Sequence, residues 1–275
     1  VEGLPRETGR GRPPVALEVV PESRYVIGIK ISDHRHTAVL CDLGGTVLSE
    51  TAIPAQGRSK SGEALTEETI AFVSDLLVRA GLQFSDISSI GLGLPGIVDF
   101  DTGIVRWSPV VDGPDVPLKA LMAPHFPCPV TIDNDTNVLT LAELWFGDAR
   151  TVADFAVVTI EQGVGMGLVL NNRLFRGGKG LGMELGHTKV QLDGALCRCG
   201  QRGCLEAYLA DYALAREAAT ALDRPADAAF SAEGLLQTLF EQAKDGHAAA
   251  LSIFQRAGRY LSIGLANVVQ LFDPT

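Results

Sequence analysis

Between Glu184 and Glu206 the chain sets His187, Cys197, Cys199 and Cys204 in the spacing His-x9-Cys-x-Cys-x4-Cys, on a segment rich in glycine. No other stretch limits the local backbone so strongly. Three thiolates and one imidazole have the number and softness of donors of a closed tetrahedral zinc site, so a metal held there is structural rather than catalytic. The competing explanation is a disulfide loop. Against it, Cys197 and Cys199 are too close in sequence to bridge easily, an odd thiol would be left over, and nothing else points to export. Cys41 and Cys128, the remaining two of five cysteines, sit beside apolar residues and read as core filler.

With 275 residues, 46% of them apolar and 20% charged, the chain can bury a core large enough for two lobes. A net charge of −10 works against wrapping a nucleic-acid backbone, which needs clustered Lys and Arg to displace counterions. Any DNA contact is therefore local or made by another part of the protein. No apolar run reaches the roughly 18 residues of a membrane span, and no basic-then-apolar leader opens the sequence. A reducing cytoplasm is the simplest setting.

Residues 1–14 carry the Pro, Gly and Arg content of a linker, and the arm is expected to extend to residue 24. Residues 25–146 then read as one α/β lobe. Tyr25 to Ile31, Thr37 to Cys41 and Val47 to Ile53 are short β-branched runs separated by turns such as Asp42-Leu43-Gly44-Gly45, which predicts an antiparallel meander. Gly62 to Ala80 has the apolar period of a helix, ended by Gly81. A strand over Ile87 to Leu92 leads into a turn at Gly93-Leu94-Pro95-Gly96. After a poorly patterned, Pro-rich stretch, a strand over Pro129 to Ile132 meets Asp133-Asn134-Asp135-Thr136-Asn137, which caps a helix reaching Phe146. Residues 147–275 form the expected second lobe: strands at Phe155 to Ile160 and Met166 to Leu170, the glycine-rich run Gly177 to Gly186, the Cys/His loop, and helices from Leu205 onward, the last over about His247 to Gln270. The sequence closes on Leu-Phe-Asp-Pro-Thr, where a further strand is expected; truncation at both ends is the expectation.

Gly182-Met183-Glu184-Leu185-Gly186-His187, followed by Cys-x-Cys-Gly-x2-Gly-Cys-Leu-Glu, resembles the signature of the ROK family of bacterial sugar kinases and sugar-responsive repressors. Gly91 to Asp99, Asp133 to Asn137 and Gly163 to Gly167 agree with it in order and spacing, and the similarity runs from about Tyr25 onward. The resemblance implies an α/β fold of the actin-like, ribonuclease-H-like kind, two-lobed, with an inserted zinc loop and a monosaccharide between the lobes, where domain-interface pockets generally lie. Position by position, it implies sugar contacts at Asn134, Asp135, Glu184, His187 and Glu206, with Asp135 the catalytic base if the protein is a kinase. A hexose presents a ring of hydroxyls that donate and accept, so carboxylates and amides placed to pair with them reject wrong epimers. His187 would bind zinc through one ring nitrogen and face the sugar with the other. Without the resemblance, Asp133 to Asn137 reads as a helix N-cap cluster, Glu206 as a charge on a first helical turn, and Gly163 to Gly167 as a plain hairpin.

The family's kinases use an Asp-x-Gly-Gly-Thr loop after the first strand and a Gly-Thr-Gly loop in the second lobe, which gather amides and a metal ion around the triphosphate. Here the first is Lys30-Ile31-Ser32-Asp33-His34 and the second Glu161-Gln162-Gly163. A carboxylate about 4 Å from a phosphate oxygen, at an effective dielectric near 20, costs roughly 4 kcal/mol, or about a thousandfold in affinity. The expectation is a sensor: the sugar-binding, dimerising part of a repressor whose DNA reader lies outside this chain, with zinc as a structural ion and ATP/Mg2+ not used. The alternatives are an ATP-dependent sugar kinase with a divergent nucleotide site, or a zinc-braced interaction module that binds no sugar.

Overall fold

The structure, a computed structural model, describes residues 19–55, 59–178, 180, 183–221 and 232–274. Most of the expected N-terminal arm lies outside the described residues, as do positions 179, 181 and 182 of the glycine-rich run.

The meander forms as expected: β1 (Tyr25–Lys30), β2 (Arg35–Asp42) and β3 (Val47–Pro54) pair antiparallel in sequence. Helix α1 (Gly62–Ala80) occupies the predicted residues because both ends are chemically marked. The Ser61 hydroxyl accepts the Ala64 N–H at its start, and Gly81, at φ 69°, closes its end in the left-handed conformation glycine tolerates. Strand β4 (Ile87–Leu94) then lies parallel to β1. It runs two residues beyond expectation because Gly93 and Leu94 pair with Asp133 and Asn134 of a strand over Val130–Asn134, so the turn begins only at Pro95.

The Pro-rich stretch with no visible pattern holds a hairpin, β5 (Ile97–Asp99) and β6 (Ile104–Trp107), and a short helix, α2 (Leu118–Met122). These elements are too short to show a period. Strand β7 (Val130–Asn134) completes a five-stranded sheet in the order β3-β2-β1-β4-β7. Its core, among Ile27, Ile29, Leu40, Ile90, Leu92 and Ile132, is covered by Leu65, Phe72, Val73 and Leu76 of α1.

Helix α3 (Asp135–Trp145) leaves this sheet and packs on the second one, formed by β8 (Phe155–Ile160), β9 (Val164–Leu170) and a short strand the sequence did not reveal, β10 (Arg173–Phe175). Gly163 to Gly167 is the β8–β9 turn and the start of β9. A Cβ on Gly165 would lie 2.5 Å from Thr136 Oγ1, and one on Gly167 would collide with Thr140 Oγ1. These glycines let α3 lie directly on the strand. Among the described residues four helices follow: α4 (Glu206–Leu209), α5 (Asp211–Ala221), α6 (Ala232–Lys244) and α7 (Ala248–Phe272), the last capped by His247. The helix expected from Leu205 is thus broken at Ala210. The two sheets and their helices form the expected α/β, actin-like fold, with a cleft between the sheets.

Thr140 is fully buried, with its hydroxyl donating to the Thr136 carbonyl at 2.7 Å, so it has no room to yield. Gly167→Ala should therefore lower stability by about 1 to 3 kcal/mol in urea unfolding, as overpacking does elsewhere. Ala at Gly178, whose surroundings are open, should leave it nearly unchanged.

Candidate functional site

A cleft of about 1170 Å³ is lined by all five residues singled out as sugar contacts, Asn134, Asp135, Glu184, His187 and Glu206. They arrive from three places: the β7–α3 junction, the turn before the Cys/His loop, and the start of α4.

At the β7–α3 junction Asn134 is the N-cap. Its Oδ1 accepts the N–H groups of Thr136 (2.9 Å) and Asn137 (3.1 Å), while its Nδ2 donates to the Gly96 carbonyl at 2.9 Å. One amide hydrogen is left for a ligand, so the capping role and a contact role coexist in one side chain. Asp135 opens α3, with Oδ1 accepting the Thr136 N–H at 2.9 Å. Burial pushes its carboxyl above the usual carboxylate range; nearby Lys30 partly offsets this and Glu161 adds to it.

Glu184 and His187 sit on a single helical turn, Leu185–His187, anchored by buried Leu185 and by Gly186, where a Cβ would collide with the Val164 carbonyl. Glu184 is likewise pushed up, first by burial, with His187 acting against the shift and Glu206 with it. His187 Nδ1 lies 3.7 Å from Cys197 Sγ, and Nε2 lies 3.9 Å from Glu184 Oε2. One ring nitrogen thus faces the thiols and the other faces the cleft. Glu206 is buried, accepting the Val164 N–H at 3.3 Å and the Tyr212 hydroxyl at 3.4 Å, beside the Cys197 thiol.

The donor atoms of His187, Cys197, Cys199 and Cys204 lie within 4.8 Å of one another. Cys199 Sγ and Cys204 Sγ are 3.7 Å apart. A tetrahedron with metal–sulfur arms of about 2.3 Å has edges near 3.8 Å, whereas a disulfide brings its sulfurs to about 2.0 Å. The spacing therefore fits a tetrahedral metal ion and not a bridge. Lys189 donates from Nζ to Cys204 Sγ at 2.9 Å. Burial pushes the Cys197 thiol up to about 12, so an arriving ion has to displace its proton. Gly203, at φ 74°, lets the chain pass against the Gln191 carbonyl. From the far side α7 braces the loop, with Tyr260 stacked on Tyr208 at 3.9 Å between centroids and Gly264 admitting Leu205. Cys41 and Cys128 lie apart from the cluster, part-buried, with their thiols pushed up mainly by burial.

The chain matches the model of the ROK family over residues 26–275. It belongs to the ROK family. Xylose repressor from Caldicellulosiruptor bescii is 29% identical over 270 residues, which are 96% of this chain and 67% of that protein. Among solved structures, a ROK family transcriptional regulator described as a homologue of the E. coli MLC protein superposes with a TM-score of 0.82 at 28% identity, over 96% of this chain and 67% of that one. The ROK hexokinase from Thermus thermophilus gives 0.73 at 32% identity, over 91% of this chain and 79% of that one. Relatives thus include both repressors and sugar kinases, and the chain spans about two thirds of the length of the repressors. Among the described residues no helix is long and apolar enough to cross a membrane.

Spacing in the sequence did not reveal three further features of the cleft. Lys30, at the end of β1, reaches across to Glu161, after β8, with its Nζ 3.2 and 3.3 Å from the two carboxylate oxygens. Arg176 pairs with Asp133. Tyr212 joins Glu206 to Cys197. The first two join residues distant in the chain, and only the odd charges at Lys30 and Glu161 gave a local hint.

Because Asp135 is held above its ordinary range, its share of stability is present below about pH 4 and is lost as pH rises through the raised value. Asp135→Asn should therefore melt at least about 2 °C higher than the parent near pH 7, with the gain shrinking toward zero by pH 4, as measured by thermal denaturation.

Proposed function

We propose that this chain is the sugar-sensing effector portion of a ROK-type transcriptional repressor, binding a monosaccharide through Asn134, Asp135, Glu184, His187 and Glu206 and carrying no phosphoryl transfer. The Lys30–Glu161 ion pair carries this reading. It joins the two segments that stand where the family's kinases keep their phosphate loops, the end of β1 and the β8–β9 turn. An isolated Glu161 would repel phosphate more strongly than this paired one does. The pair links these two segments, in which Lys30 to His34 and Glu161 to Gly163 stand in place of the kinases' Asp-x-Gly-Gly-Thr and Gly-Thr-Gly loops. Such a half-exposed pair adds no more than about 1 kcal/mol to stability, so its effect is on what the cleft admits.

Zinc is the ion proposed for the Cys/His cluster, because three thiolates and an imidazole with no open position suit it. It would fix the tautomer of His187 and hold Glu184 and Glu206 toward the sugar, acting as a brace and not as a reagent. A DNA-binding segment outside the described residues, a homodimer and a cytoplasmic setting complete the reading; a ligand that binds one degree of lobe closure better than another would shift the spacing of the DNA-binding arms. The lobe limits near residues 25, 146 and 147 belong to the same proposal.

A kinase remains the second reading, and one observation favours it: Asp135 opens α3 with a raised carboxyl, as suits a general base. Thermal-shift measurements separate the two. D-xylose, D-glucose or N-acetyl-D-glucosamine at a hundred times its Kd should stabilise the chain by about 2.7 kcal/mol, and millimolar ATP with Mg2+ should add nothing. Nucleotide stabilisation, or ATP-dependent phosphorylation of any of these sugars, would decide for the kinase. In a second test, Cys199→Ser should lose bound zinc and the sugar-induced shift together; sugar binding that survived zinc loss unchanged would refute the brace.

A further inference from the structure

Asp133 is a buried carboxylate, 3% exposed, on β7 immediately before Asn134. Its two oxygens do different work. Oδ1 accepts the Asn134 backbone N–H at 2.8 Å and the Asn137 side-chain Nδ2 at 2.9 Å, so it shapes the cap from which Asn134 and Asp135 project. Oδ2 accepts from two N–H groups of the Arg176 guanidinium, on Nε at 2.9 Å and on a terminal nitrogen at 2.8 Å, from 43 positions further along the chain. Among the described residues Arg176 is the one cation paired with it.

Arg176 directly follows β10 of the three-stranded sheet, whereas Asp133 lies on β7 of the five-stranded sheet and Phe100 in the β5–β6 hairpin. Its guanidinium carbon lies over the ring of Phe100, 3.9 Å from the centroid, just after β5. Beyond it, Gly180, at φ 73°, lies where a Cβ would collide with the Val98 carbonyl of that hairpin. Arg176 therefore stands at the root of the segment that delivers one half of the site and grips the residue that shapes the other half.

We propose that Arg176 is a positioning residue for the ligand site, acting through Asp133 to hold the Asn134–Asp135 cap and the Glu184–His187 turn in register across the cleft. The inference rests on the reading of the cleft as a ligand site, but its mechanical content does not require a ligand. Loss of the guanidinium leaves a buried carboxylate with two N–H donors and no counter-charge, which the structure relieves by loosening the cap. A lysine keeps the charge but offers neither the planar two-point grip nor the stacking on Phe100.

Amide hydrogen exchange on the intact chain tests this. In Arg176→Ala, the amides of Thr136 and Asn137 and those of residues 183–187 should both exchange on the order of tenfold faster, at unchanged metal content. Asp133→Asn should release the same two segments, and the double variant should release them no further than either single change. Should Arg176→Ala fail to fold, Arg176→Lys is read instead, with partial release of both segments expected. Wild-type protection at Thr136 and Asn137 in whichever variant is read, with any change confined to residues near 176, overturns the proposal. Sugar affinity is a separate arm: whichever of D-xylose, D-glucose and N-acetyl-D-glucosamine stabilises the parent should bind Arg176→Ala ten- to a hundredfold more weakly, on the order seen for supporting residues in other sites. If none of the three stabilises the parent, the sugar reading fails for these sugars, while the exchange result still decides whether Arg176 positions the two segments.

Discussion

The close approach of α3 to β9 is the contact on which the remainder of the molecule depends. Because Gly165 and Gly167 carry no side chain, a helix that begins on one sheet can lie on the backbone of the other, with Thr136 and Thr140 filling the space a Cβ would take. The Thr136 hydroxyl also meets that of Thr159 on β8 at 3.0 Å, a polar tie across a seam of small groups. The N-terminus of α3 is thereby held at the mouth of the cleft, where its cap supplies Asn134 and Asp135. A bulkier strand would push the helix away and separate these residues from Glu184 and Glu206.

Around that seam the cleft is organised by charges that satisfy one another across the gap between sheets. Lys30 meets Glu161 on one side and Arg176 meets Asp133 on the other, but the two pairs differ in kind. The first is half-exposed, so water screens it and it contributes little energy. The second holds a nearly buried carboxylate, so removing one partner would strand the other. Between them Asp135 and Glu184 are held above their ordinary range by burial. A site whose desolvated carboxyl groups have only loosely placed neighbours, Lys30 near Asp135 and His187 at 3.9 Å from Glu184, has stability in reserve for a ligand that pairs with them, as polyhydroxylated molecules can.

Much of this was legible in the sequence where the signal is local. Helix α1 matched to the residue because Ser61 and Gly81 mark its ends, and the meander matched because its strands alternate and its turns carry Asp and Gly. The metal-ligand set was legible because four donors of the right softness fall within eighteen positions, and the structure brings their atoms together. The β5–β6 hairpin, α2 and β10 were not, being three to five residues long and held by neighbours instead of by periodicity. The cap cluster at Asp133 to Asn137 was legible as a cap, but its division of labour was not. Asn134 spends most of its hydrogen bonds on the helix, and Asp133, which had no assigned part, turns out to shape the cap.

By itself the sequence determined the longer elements, the family, a set of candidate metal donors and the departure of Lys30 to His34 and Glu161 to Gly163 from the kinases' loop patterns, because each is written in residue types at short spacing. Only the tertiary structure decided that Lys30 and Glu161 neutralise one another, that Gly165 and Gly167 exist to admit a helix, and that Arg176 reaches Asp133. Those facts depend on which distant backbones approach within a few ångströms, and the one-dimensional pattern of a chain carries no record of that distance.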